Sequence, residues 1–350
     1  MKRISFCLGL MALAWTLASC QQNNGNIPPP ENSPRVCIGA GIHHGLKTRA
    51  TGLFVPEGHS LRYIIEVWTT DDDRLIYRSE LLEVAGEDVT FDFELEEMGY
   101  YAAVLWADFI PADTEGENAV TPNDHMHYAD LYYQTDSEQG LREITLIPDA
   151  YRANHESRDA FYATLSINKE EGIFESGATL MRPFGTLNIN EKEAGSVEKV
   201  SEIHCTYQVP QSFHTVEGKP DTEFLIIETT CTPAKNEFAN LFYDYIFASQ
   251  MGDMLTHDLT MSFTVAKDAG KFKPYIIPGN CIPLARNKRT IANGTILSTS
   301  KPDTPVDTKA NISVTITSVW EETMPEDLPQ QNGGDLPNIN NQGNPFESIF

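Results

Sequence analysis

The sequence is poor in basic residues. Its 350 residues hold 25 Lys and Arg against 50 Asp and Glu, a formal charge of −25. Phosphate neutralisation needs clustered Lys and Arg, so nucleic acid is excluded as a default partner. Charge-driven docking onto anionic lipid is disfavoured for the same reason. Long hydrophobic runs are missing too. Beyond Leu17 no stretch approaches the roughly 20 apolar residues of a spanning helix. Signatures of catalysis and of cofactor binding are absent: there is no Gly-x-Ser-x-Gly elbow, no His-Glu-x-x-His, no phosphate loop and no Gly-x-Gly-x-x-Gly after a strand. Cysteine is sparse, at 6, and no two of Cys37, Cys205, Cys231 and Cys281 are close enough for a zinc knuckle. Neither an enzyme nor a cofactor nor a metal is expected. Carboxylate pairs alone mean little among 50 acidic residues, although a glycosidase pair needs no local motif. What is present is a chain 41% apolar and 10% aromatic, enough for a core. Its length suits two ordinary domains or one large one.

Targeting is legible at the amino end. Lys2 and Arg3 precede an apolar run from Ile4 to Leu17, and Leu17-Ala18-Ser19-Cys20 places small residues before a cysteine. That order of charge, apolar run and small residues is a lipoprotein signal over residues 1–19, with Cys20 left as the acylated first residue. Residues 20–35, rich in Gln, Asn, Gly and Pro, read as a flexible tether. The expected location is the outer membrane, held by lipid and not spanning it. Which side of the membrane the chain faces is open.

The body reads as β. Val89, Phe91, Phe93 and Leu95 alternate with Thr90, Asp92, Glu94 and Glu96. Leu259, Met261, Phe263 and Val265 alternate with Thr260, Ser262 and Thr264, Leu187 and Ile189 with Thr186, Asn188 and Asn190, and Ile312, Val314 and Ile316 with Ser313, Thr315 and Thr317. Successive strand side chains point to opposite faces, so each segment predicts one apolar face and one wet one. The runs Tyr100–Trp106 and Phe224–Ile227 are continuously apolar and predict central strands covered on both sides. Turn residues at Asp71–Asp73, Ala85-Gly86, Glu217–Pro220 and Pro278–Asn280 separate them. The sum is all-β sandwiches joined by short turns. Phe238, Leu241, Phe242, Tyr245 and Ile246 fit helical spacing while Tyr243–Phe247 fits a strand, and periodicity leaves both open. A compositional dip near Asn168–Gly177 divides the body into residues 36–172 and 173–322. Residues 323–350, with four prolines and several Gly and Asn, read as a disordered tail.

Few residues suggest chemistry. Cys205 and Cys231 lie symmetrically about Gly218. A hairpin turning there sets them opposite each other, either bridged, as an envelope compartment permits, or as separate buried thiols. His125-Met126-His127 places two imidazoles on one strand face beside Asp124 and Asp130, a pattern that a wet loop explains as well. Asp71–Asp73 is a solvated turn lacking the oxygen set that calcium needs. Trp68, Trp106 and Trp320 are either sugar platforms or core residues.

The lipobox, the tether, and the phrases Ser157-Arg158-Asp159-Ala160-Phe161-Tyr162 and Leu180-Met181-Arg182-Pro183-Phe184-Gly185-Thr186-Leu187-Asn188-Ile189 together resemble Bacteroidales-type fimbrillin-like lipoproteins, from Cys20 to about Glu322. The resemblance implies two tandem transthyretin-like antiparallel β-sandwich domains, the second opening near Arg182-Pro183-Phe184, with Tyr243–Phe247 a strand. It implies a lipid-anchored fimbrial subunit (anchor, accessory or stalk) that joins other fimbrial subunits by strand exchange and adheres to host or bacterial surface ligands. In polymerising members an Arg-specific protease removes the first strand together with the lipid, and Arg49 in Lys47-Thr48-Arg49-Ala50 resembles that processing position. An ordinary exposed loop residue is the other reading of Arg49. Ile312–Val319 is the better candidate for a donor strand, or is simply the last core strand. A glycan-binding surface lipoprotein of a nutrient importer is the alternative function.

Overall fold

A computed structural model describes residues 35–42, 55–83, 88–170, 172–233, 240–265, 272–297 and 312–317. The first half holds β1 (Arg35–Ile42), β2 (His59–Thr69), β3 (Leu75–Glu83), β4 (Val89–Glu94), β5 (Gly99–Pro111), four short strands β6 (Glu117–Ala119), β7 (His125–His127), β8 (Tyr133–Gln134) and β9 (Glu143–Leu146), then β10 (Ala160–Lys169) and β11 (Phe174–Leu180). One sheet has the order β11-β1-β4 and the facing one β10-β5-β2-β3. Between them lie Val36 and Ile38 of β1, Leu61, Tyr63, Ile65 and Val67 of β2, Phe91 and Phe93 of β4, and Leu105 and Phe109 of β5. β4 alternates buried and exposed along its whole length, as its sequence predicts.

The second half holds β12 (Phe184–Glu191), a helical turn α1 (Ala194–Val197), β13 (Val200–Pro210), β14 (Ser212–His214), β15 (Lys219–Pro220), β16 (Phe224–Cys231), β17 (Asn240–Phe247), β18 (Asp253–Met254), β19 (Leu259–Val265), β20 (Tyr275–Ile277), β21 (Pro283–Leu284), β22 (Lys288–Gly294) and β23 (Ile312–Thr317). Its sheets run β17-β12-β22-β23 and β16-β13-β19-β20. Residues 240–247 are thus a strand; the pairing with β12 decides what periodicity could not.

The all-β class holds, with three corrections. The sheets are not antiparallel throughout, because β1 runs parallel to β11 and β12 parallel to β22. β11 pairs along its length with β1, which carries the first sheet as far as Leu180. Thr186, Asn188 and Asn190 do not form a wet face but are buried, because β12 sits centrally and its amides bond sideways. Arg289 Nε donates to Asn188 Oδ1 at 3.2 Å, Asn190 Nδ2 to Asn293 Oδ1 at 3.0 Å and Asn240 Nδ2 to Asn190 Oδ1 at 3.1 Å. Phe224–Ile227 is no central run, since β16 is an edge strand with Ile226 66% exposed.

Between β5 and β10 the chain lays β6–β9 over the outer face of the β2–β5 sheet. A third sheet, β15-β14-β9-β8, joins that covering segment to the hairpin tip of β13–β16. The core of the second half therefore reaches into the first, taking in Ile64, Val104 and Trp106 from the outer faces of β2 and β5.

Candidate functional site

β1 is the strand with the most consequential placement. It lies between two partners, pairing in parallel with β11 from Val36↔Phe174 to Ile42↔Leu180 and antiparallel with β4 from Arg35↔Glu94 to Ala40↔Val89. Val36, Ile38 and Ala40 point into the core and are 0%, 0% and 1% exposed. Burying them is worth roughly 5 kcal/mol from apolar area. The outward residues add little: Arg35 donates from Nε to Asp92 at 2.8 Å, an exposed pair of marginal value. Withdrawing β1 would leave an apolar trough floored by β2 and β5 and flanked by unpaired N–H and C=O groups of β4 and β11. Such an open edge pair is a template for another chain's strand.

The sequence-named residues fall as follows. Cys20, Arg49, Trp320 and residues 318–319 lie outside the described residues. β23, the described part of the candidate donor strand, lies at the edge of its sheet and among the described residues pairs with β22, its Ile312 and Val314 resting on the core. Cys205 and Cys231 are buried on adjacent strands as unbridged thiols. The register sets Cys205 opposite Thr229 and Cys231 opposite Ile203, so they are diagonal neighbours, not directly opposed. A hydrogen bond with Cys231, together with burial, pushes the Cys205 thiol up. Trp106 is fully buried and Trp68 nearly so, its indole donating to Glu66 Oε2 at 3.1 Å under the Arg142 guanidinium. Neither is an exposed sugar platform. His125 Nδ1 bonds Asn123 O at 2.8 Å and His127 Nδ1 bonds Glu80 Oε1 at 2.9 Å, so the two imidazoles serve different partners. Among the described residues, one group could hold a metal ion: Glu143, His214 and Asp221. Sequence reading missed it because its members share no local spacing.

Under the covering segment the outer face of β2–β5 carries a buried ionic network. Arg62 bonds Asp108 Oδ2 and Asp130 Oδ1, each at 2.8 Å; Arg78 bonds Glu66 and Glu80. Burial pushes the Glu80 carboxyl up, but the His127 hydrogen bond and the Arg78 and Arg62 charges outweigh it and hold it at about 2. The Glu80 hydrogen bond in turn raises His127. Glu66 and Asp130 are raised, with burial the leading cause.

The two phrases that carry the family resemblance meet at the joint between the halves. Arg182 Nε donates to Asp159 Oδ1 at 2.7 Å, and Tyr162 and Met181 exchange backbone hydrogen bonds at 2.9 and 3.0 Å. Arg158, fully buried, pairs with Asp244 of β17, which also accepts from Tyr151 at 2.5 Å and from Tyr207. These residues build the joint.

A family described as being of unknown function, DUF6562, matches residues 38–342. No curated protein matches the chain. Among solved structures, the fimbrial anchor protein Mfa2 from Porphyromonas gingivalis is 11% identical with a TM-score of 0.44, over 81% of this chain and 97% of that one. A fimbrial assembly protein from Parabacteroides distasonis is 10% identical with a TM-score of 0.42, over 81% and 95%. A candidate polysaccharide-binding protein from Bacteroides thetaiotaomicron is 7% identical with a TM-score of 0.44, over 81% and 96%.

Proposed function

The chain belongs to the DUF6562 family, and we propose that it is a cell-surface fimbrial subunit that assembles by β-strand complementation and serves adhesion. The observation that carries this reading is the place of β1, a first strand held centrally between β11 and β4 by backbone pairing on both sides. The sequence supplies the rest: a lipobox ending at Cys20 for attachment to the outer membrane, and Arg49 shortly after β1 as a cleavage position. With β1 retained and Cys20 acylated, the chain acts as an anchor or accessory subunit. With β1 removed at Arg49, it is a polymerising one whose trough accepts a neighbour's strand. No catalytic step and no cofactor are part of this role.

The test has two steps. Mass spectrometry of the mature amino terminus from envelope fractions separates acylated Cys20 from Ala50. Limited Arg-specific proteolysis of the soluble chain, followed by addition of a labelled peptide with the sequence of Arg35–Ile42, then probes the trough. Saturable capture of the peptide by the cut chain and none by the intact chain is expected. A cut chain that stays folded yet captures nothing overturns strand complementation, and glycan-array binding by the uncut monomer would favour the importer reading instead.

A further inference from the structure

Glu143 opens β9, His214 closes β14, and the two are directly opposed in register. Asp221 follows β15, whose Lys219 pairs with His214, and its backbone N–H donates to Ser212 O at 3.0 Å, which fixes it beside the other two. One ligand atom from each of the three lies within 4.8 Å of the others, and all three side chains are partly exposed. In a divalent-metal site the ligand atoms stand roughly 3 to 4 Å apart around bonds of about 2.0–2.2 Å.

Neither Glu143 nor Asp221 forms an ion pair with a described Lys or Arg. Arg142, next in the chain, turns away to Asp73 and the Trp68 ring, and Lys219 is taken by Glu217 at 2.6 Å. Among the described residues the two carboxylates converge beside the His214 ring, with the Ser212 hydroxyl between them. Ser212, 2% exposed, lies 3.1 Å from Glu143 Oε1 and 3.5 Å from Asp221 Oδ2, but its single proton serves one of them at a time. The Thr222 N–H donates to Asp221 Oδ1 at 2.5 Å and orients that carboxylate. The His214 ring hydrogen-bonds no described side chain and keeps its nitrogens for coordination. One imidazole with two carboxylate oxygens is a borderline donor set, suited to zinc or a neighbouring divalent transition ion, with water in the open positions.

We infer that Glu143, His214 and Asp221 form a divalent transition-metal site, zinc being the ion of choice, which clamps the covering segment of the first sandwich to the hairpin tip of the second. Its role is structural: the metal ties β9 to β14 and to the residue after β15, across the sheet that joins the two halves.

Chelator-stripped soluble chain is titrated with zinc sulfate by calorimetry and followed by thermal melting. One zinc per chain and a metal-dependent rise in Tm are expected. His214→Ala, and separately the shape-conserving double variant Glu143→Gln/Asp221→Asn, should weaken binding at least tenfold and remove the Tm rise. His204→Ala on the exposed face of β13 should change neither. Absence of stoichiometric binding, or binding equally strong in the double variant, overturns the site. Should His214→Ala fail to fold, the double variant decides.

Discussion

Arg158 and Asp244 are each about 1% exposed in their side chains, and two tyrosine hydroxyls donate to the same carboxylate. Removing one member leaves a charge buried without its counterion, which typically costs about 3–5 kcal/mol. Arg158→Met and Asp244→Asn should each destabilise by about that much in urea unfolding, and the double change by less than the sum. Glu80 and His127 make a pH prediction with two limbs. Glu80 is held at about 2 against an ordinary 4.5. Its contribution is therefore full above 4.5 and is lost as pH falls from there toward 2. His127 is raised above 6.5, so its contribution is full below 6.5 and is lost as pH rises through the folded value. Against wild type, Glu80→Gln should flatten the acid limb of the stability curve and His127→Gln the neutral-to-alkaline one. Glu66 and Asp130, raised by burial, act in the opposite sense on the acid side, so the variant-minus-wild-type difference is the quantity to read. None of these partnerships is visible in sequence. His127 attracted notice through its neighbour His125, but its partner is 47 positions away. Arg158, Asp159 and Arg182 stood out only as words of a family phrase, and Glu143, His214 and Asp221 not at all, since separation along the chain hides what strand register brings together.

Elements were more legible, because alternation is a local property. β4 and β19 follow their patterns, and β17 became a strand once β12 supplied a partner. The failures share one cause. Alternation tells which residues differ in face, not what covers each face, so β12 was assigned a wet side and β16 a central place. The hairpin about Glu217-Gly218 was legible, but its axis lies one residue earlier than symmetry about Gly218 required, which moves Cys231 from Cys205 to Ile203. Both thiols are buried, and the hydrogen bond with Cys231 together with burial raises Cys205, so alkylation of Cys205 should be slow in the native chain and complete on unfolding. For β1, Ile38→Ala should cost about 2–5 kcal/mol. Ile38→Glu should free the strand altogether, read as faster amide exchange in β4 and β11 while β12 and β13 stay protected.

At the scale of the molecule the two sandwiches are joined by continuous packing. A line of rings runs from Trp106 through Tyr133, Phe184 and Phe247 to Phe213 and Tyr162, with centroids 5.0 to 5.8 Å apart. Edge-to-face and stacked contacts of this kind add to burial and favour a single orientation. The halves should unfold as one cooperative unit in calorimetry. Trp106→Ala, at about 3–5 kcal/mol, should split that transition into two. The mixed pairing of β1 carries a last consequence. One wall of its trough runs with it and the other against it, and parallel and antiparallel ladders place their donors and acceptors differently. A strand entering backwards would meet the wrong sequence of amides on both walls. Any row of copies built through this trough would therefore be directional, with a growing end chemically distinct from the finished one.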